Sequence, residues 1–186
     1  MQADAKRGAL CAARRWVAAL VVALLAFCGA PAAAESRGGT LERLRATLSE
    51  AQKELDSGHL ARAAELYRQA RDEASGLGGD SLPLARALDG LADVHRLAGR
   101  PADAAELYLR SAAMWESLLG KRQPRLATTL HNLGVVYVEQ GRPDLAGPPL
   151  RRALEIWEAT LGPASPQARE TSRTLLRIEA RNRPAD

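Results

Sequence analysis

The sequence predicts an all-α fold, a solenoid of stacked helix-turn-helix units. Three observations carry this. The 186 residues are 46% apolar but only 4% aromatic, and Ala, Leu and Arg, which dominate, are good helix formers. The chain repeats itself with a period of about 42 residues, in the range of helical repeat arrays. Glycines and prolines fall at fixed places in each period, where helices stop and start.

The N-terminal segment, positions 1–34, stands apart. Lys6, Arg7, Arg14 and Arg15 precede the apolar run WVAALVVALLAF, and small residues follow to Ala32-Ala33-Ala34. A basic start, a short apolar core and an A-x-A-like end describe a secretory signal peptide, so residues 1–34 are expected to be removed and Glu35 to become the N-terminus. Two alternatives stay open. Residues 16–34 are barely long enough for a retained membrane anchor. Leu25-Ala26-Phe27-Cys28 resembles a lipidation signal, though Phe27 is bulky for it, and Arg14-Arg15-Trp16-Val17 lacks most of a twin-arginine pattern. Membrane association is expected only if this segment is retained or lipidated.

Removing it changes the chemistry of the rest. The whole chain carries a formal charge of +4. Four of the cations and Asp4 lie in the leader, so the remainder carries about +1. The basic character gives no case for nucleic-acid binding. Cys11 and Cys28 also fall in the leader, and a mature chain without cysteine needs no disulfide and suits an exported, periplasmic or secreted protein.

A linker at 35–43 leads into the repeats. Laying positions 84–125 over 126–167 brings 15 identities, among them Leu84, Leu88, Leu91, Val94, Gly99, Pro101, Ala104, Trp115, Gly120 and Pro124. A more worn copy precedes, where Gly58, Ala63, Glu65, Leu66 and Tyr67 match Gly99, Ala104, Glu106, Leu107 and Tyr108 at a shift one shorter. The repeats are placed at 44–84, 85–126 and 127–168, with a half repeat at 169–182 and a tail at 183–186. In the second, Leu84, Leu88, Leu91 and Val94 form one apolar stripe. Gly99 ends that helix and Pro101 opens the next, which runs to about Leu119 and stops at Gly120, with Pro124 in the loop beyond. Ala92 and Ala104, matched by Gly134 and Ala146, let paired helices approach closely. Neither helix buries its stripe alone, and stacking does. Where the second repeat has Ala105-Glu106-Leu107, the third has Gly147-Pro148-Pro149. Two prolines inside a helix remove bonds and clash, so a break is expected: one turn from Pro143 to Ala146, then a new helix with Pro148 near its start.

The stretch LHNLGVVYVEQGR, residues 130–142, resembles the tetratricopeptide repeat at Leu133, Gly134 and Tyr137, followed by Ala146 and Ala153. The repeat length, Asn132-Leu133 and the ending at Leu161, Gly162 and Pro166 are similar to the kinesin-light-chain variety. The first repeat departs, with Glu50-Ala51 for Leu-Gly and Glu54 for Tyr. The resemblance covers about 44–182. It implies a right-handed solenoid whose first helices line a concave groove for a peptide or partner segment. The groove residues it implies are Arg45, Ser49 and Gln52, then Arg86, Asp89, Asp93 and Arg96, then Thr128, His131, Asn132, Val135 and Glu139, then Arg173, Arg177 and Arg181. Asn132 would bond the main chain of a bound peptide, since an amide both donates and accepts. Arg169, Arg173, Arg177 and Arg181 share one helix face and suit acidic residues or a C-terminal carboxylate, or form a solvated cap. Asp89 and Asp93 would add an acidic stretch.

Catalytic signals are weak. His59, His95 and His131 are evenly spaced, but at an interval shorter than the repeat, so they occupy different places within it. His95, matching Tyr137, is expected to pack inside. No cofactor or metal site is expected, because mature thiols and ligand-spaced His/carboxylate clusters are lacking. Gly76-Leu77-Gly78-Gly79 follows a helix, and Gly120-Lys121 lacks the rest of a P-loop. Trp115 and Trp157 recur at matching places, as core residues would. The expected function is an exported, non-catalytic scaffold or adaptor binding a partner protein or peptide in the groove. The alternative is an accessory or substrate-recognition subunit of an exported enzyme. A small-ligand or glycan solenoid fits less well with so few aromatics.

Overall fold

A computed structural model describes residues 39–182, with side chains described through residue 180. The expected signal segment and the tail lie outside the described residues. Among the described residues, those from Leu44 onward pack as one unit. Among the described residues there are helices and turns and no strand. None of these helices is long and apolar enough to cross a membrane.

The helices are α1 (39–56), α2 (Leu60–Gly76), α3 (Leu82–Leu97), α4 (Pro101–Leu119), α5 (Pro124–Glu139), α6 (Pro143–Leu161) and α7 (Pro166–Asn182). From α2 onward each packs on its neighbours in sequence, as a solenoid requires. The helices run as three successive pairs, α1/α2, α3/α4 and α5/α6, followed by α7; α3, α5 and α7 begin at 82, 124 and 166, ahead of the repeat starts expected at 85, 127 and 169.

The punctuation has a physical basis. The turn within each pair carries a glycine at positive φ, with Gly99 at 73° and Gly141 at 72°. The following amide closes the helix end, Arg100 N–H on the His95 carbonyl and Arg142 N–H on that of Tyr137, each at 2.9 Å. This is the Schellman closure. Pro101 and Pro143 then open the next helix at its start, where a missing N–H is harmless.

Three expectations need correction. The first helix begins at 39, so the end of the expected linker, 39–43, is helical. Pro124 is not in a loop but opens α5, the same role that Pro101 plays for α4. Most clearly, α6 does not break at the double proline: Pro148 and Pro149 lie inside one helix from Pro143 to Leu161. Proline crowds the Cβ and N–H of the residue before it. Gly147 has no Cβ and Pro148 has no N–H, so each neighbour removes one of the clashes. Continuity also keeps Ala146, Leu150 and Ala153 wholly buried.

The core is built from Ala and Leu with close helix contacts. Ala92, Ala104 and Ala146 are fully buried. A Cβ on Gly134 would lie 2.4 Å from Cγ of Leu150, and one on Gly90 would lie 2.2 Å from the ring of Tyr67. The departures of the first repeat suit its place at one end of the array. Glu50 is exposed where Leu91 and Leu133 are buried in later copies. At the other end, α7 replaces Ala127, Leu130 and Tyr137 by Arg169, Ser172 and Glu179, a polar face of the kind that ends a solenoid.

Candidate functional site: the groove of the first helices

Lining up the copies places the same side-chain device at successive joints. In the first pair, the Tyr67 hydroxyl donates to Oε1 of Gln52 at 3.0 Å. At the matching places of the second, Tyr108 donates to Oδ1 of Asp93. In the third, the matching residues are Leu150 and Val135, both apolar. A second device joins one repeat to the next. Thr129 donates to Asp89, with oxygens at 3.0 and 3.1 Å. One repeat further on, Nδ1 of His131 meets Oγ1 of Thr171 at 2.9 Å.

Asp89 and Asp93 were expected to give the groove an acidic stretch. Their oxygens are instead engaged from neighbouring helices. Asp89 also accepts from the indole of Trp115 at 2.7 Å, and Asp93 also accepts from Nδ2 of Asn132 at 3.3 Å. Burial pushes the Asp89 carboxyl up to about 6, against the pull of its donors. Burial also raises Asp93 and pushes the Tyr67 phenol up to about 12. Both carboxylates therefore tie the second repeat to the third. Asn132, expected to meet a peptide, spends one donor on this joint.

Three cavities nevertheless run along the first helices and share residues. The first, about 70 Å³, is polar and lies among Gln52, Arg86, Asp89, Asp93, Arg125 and Asn132, with Thr128 at its edge. Thr128 also borders the second, about 450 Å³, with His131, Trp157, Gln167 and Glu170. His131 and Glu170 continue into the third, about 510 Å³, which adds Val135, Val138, Ile178 and Arg177. A groove thus passes from α1 across α3 and α5 to α7, polar at its start and apolar at its end.

Of the residues expected in the groove, Gln52, Arg86, Asp89, Asp93, Thr128, His131, Asn132, Val135, Glu139 and Arg177 line these cavities. Arg173 lines none of the three. Arg173 and Arg177 are exposed, and each lies 3.8 Å from Glu170, so an acid shares the terminal arginine row. Arg181 lies beyond the described side chains. Arg96 pairs with Glu139 at 3.3 Å across α3 and α5. His95 is half-buried with Nδ1 3.3 Å from Asp103, the packed role its match to Tyr137 suggests. Trp157, Gln167, Glu170 and Arg125 were not anticipated as groove residues. A signal was available for Glu170, which stands one repeat after Thr128. Among the described residues no group of three His, Cys, Asp or Glu side chains could hold a metal ion.

Comparison with known proteins agrees with this architecture. A tetratricopeptide-repeat family model matches residues 54–117, 84–151 and 125–186. Among solved structures, BtubC (BKLC) from P. vanneervenii is similar with a TM-score of 0.63 and 22% identity, over 70% of this chain and 52% of that one. The present chain thus spans about half the length of that relative. The nearly identical TPR-like repeats assigned to a kinesin light chain of Podosopora anserina are similar with a TM-score of 0.67 and 23% identity, over 75% of this chain and 67% of that one. At such identities the likeness is one of fold. No curated protein matches the sequence.

Proposed function

The chain belongs to the tetratricopeptide-repeat family, and we propose that it is an exported, non-catalytic scaffold that holds a segment of a partner protein along the groove of α1, α3, α5 and α7. The observation that carries this is the continuity of the three cavities through Thr128, His131 and Glu170. One extended segment can run from the polar end, beside Asn132 and Arg86, to the apolar end, beside Val135 and Ile178. Polar groups there orient the segment and apolar walls supply burial. Arg173 and Arg177 at the far end favour a partner with acidic residues there. Export rests on the basic, apolar and small-residue pattern of residues 1–34.

The test is selection of a displayed peptide library on the full chain as cells produce it, with affinities then measured on variants. Val135→Glu puts a charge in the apolar end and is expected to weaken selected peptides by about tenfold or more. Leu109→Glu, on an exposed site of α4, should leave them unchanged. A library that yields no peptide, or peptides indifferent to Val135→Glu, overturns the groove reading. Mass determination of the product shows whether residues 1–34 are removed.

A further inference from the structure

The second cavity is lined by a tryptophan whose indole donor has no acceptor among the described residues. In the second repeat, Asp89 accepts the indole N–H of Trp115. In the third, Trp157 stands in the matching place and His131 replaces Asp89. His131 turns Nδ1 to Thr171, and no acceptor among the described residues meets Nε1 of Trp157. Trp157 is only 6% exposed. Its N–H is not sealed in the core, since among the described residues the one fully buried polar side-chain atom without a hydrogen-bond partner is Nδ1 of His95. An indole N–H that reaches the cavity meets water in the free chain, and a well-placed acceptor on a partner takes that water's place.

The remaining walls say what else that acceptor should carry. Thr171 uses its single proton on the Gln167 carbonyl, at 2.8 Å. With that proton so placed, its oxygen is free to receive a proton from His131 Nδ1, 2.9 Å away. Burial holds the imidazole below its usual range, so the ring is neutral near pH 7 and Nε2 is a bare acceptor. Glu170, at the same cavity, is a second acceptor and a negative charge. The cavity thus offers one donor and two acceptors, and its acid repels a carboxylate.

We propose that this cavity receives the carboxamide of an asparagine or glutamine on the partner segment. The amide oxygen accepts from Nε1 of Trp157, and the amide nitrogen donates to Nε2 of His131 and to Glu170. The assignment rests on the groove reading above and makes it specific at one position.

The experiment follows the indole N–H resonances of the 15N-labelled full chain, with Trp157 assigned from Trp157→Phe. The probes are the N-acetyl methylamides of glutamine, glutamate and norleucine. The glutamine probe should move the Trp157 resonance saturably and leave that of Trp115 in place, while the other two bind at least about fivefold more weakly. His131→Phe and Glu170→Gln should each weaken the glutamine probe by about threefold to tenfold. Persistence of the Trp115 indole shift reports that each variant remains folded. Equal or stronger response to glutamate or norleucine, or no saturable response to any probe, overturns the proposal. If library peptides bind and respond to Val135→Glu while the Trp157 resonance stays still, the groove stands and the carboxamide assignment falls.

Discussion

The second and third repeats share one backbone plan and fill it with opposite chemistry. In the second, Tyr108, Asp93, Asp89 and Trp115 form a polar stitch that reaches Thr129 and Asn132 of the next repeat. In the third, Leu150 and Val135 replace the Tyr–Asp pair, and His131 replaces Asp89. The polar joint closes its own hydrogen bonds, and only the small first cavity remains beside it. The apolar joint leaves the Trp157 donor open, and the two larger cavities lie there. Satisfied polar networks fix geometry, and apolar surface left open invites a partner. On the proposed reading, one repeat holds the array together while the next keeps the groove open to a partner.

The largest effect should separate the two fillings directly. Leu150 is wholly buried and packs on Gly134, so Leu150→Ala should cost about 3 kcal/mol. Tyr108→Phe keeps the ring and removes only the donor to Asp93. Its expected cost is about 1–2 kcal/mol, because Asn132 still serves that carboxylate. Urea unfolding of both variants checks the order. A larger loss from Tyr108→Phe would mean that the polar stitch, not packing, dominates this core.

A second difference appears with pH, because the matched positions 89 and 131 titrate in opposite senses. The Asp89 carboxyl is raised from 3.8 to about 6 by burial. The folded chain then binds more protons than the unfolded chain between those values, so this group's contribution to stability falls as pH rises from about 4 to 6. Its size is on the order of 2–3 kcal/mol. His131 is lowered from 6.5 by burial, with Glu170 opposing. Here the unfolded chain binds more protons, so stability from this group is present above about 6.5 and is lost as pH falls below it. Urea midpoints measured from about pH 4 to 7.5 should show Asp89→Asn removing a decline and His131→Gln removing a rise. If both variants change the slope in the same direction, the two sites do not play opposed roles.

The repeat register was legible because its marks are backbone requirements. Only glycine takes the left-handed turn at Gly99 and Gly141 without steric cost, and proline is welcome only at a helix start. Those constraints survive in a single sequence. The roles of Asp89 and Asp93 were harder to see. Their spacing places both on one stripe, but it does not say that Trp115, on the following helix, turns its N–H to one of them. A usable signal existed: Gln52 and Tyr67 are 15 apart, as are Asp93 and Tyr108, and the recurrence of that separation marks a bonded pair. The open donor at Trp157 becomes visible only once Trp115 shows what such a residue normally has.

The double proline of α6 offers the smallest and most diagnostic comparison, with α4 as reference. At Gly147 an added Cβ would meet only the guanidinium tip of Arg151, at 3.2 and 3.3 Å, and that tip can move. In an ordinary helix interior such a Gly→Ala change gains about 1 kcal/mol. Here Pro148 follows, and its Cδ crowds the new Cβ, so Gly147→Ala should change stability by no more than about 0.5 kcal/mol in either direction. The same change made together with Pro148→Ala should recover the full gain, because the crowding ring is gone and a donor to the Asp144 carbonyl returns. The two changes are therefore expected to exceed the sum of the single ones, a coupling that a double-mutant cycle measures. Simple additivity would show that Gly147 does not relieve the proline, and the continuity of α6 would then need another cause.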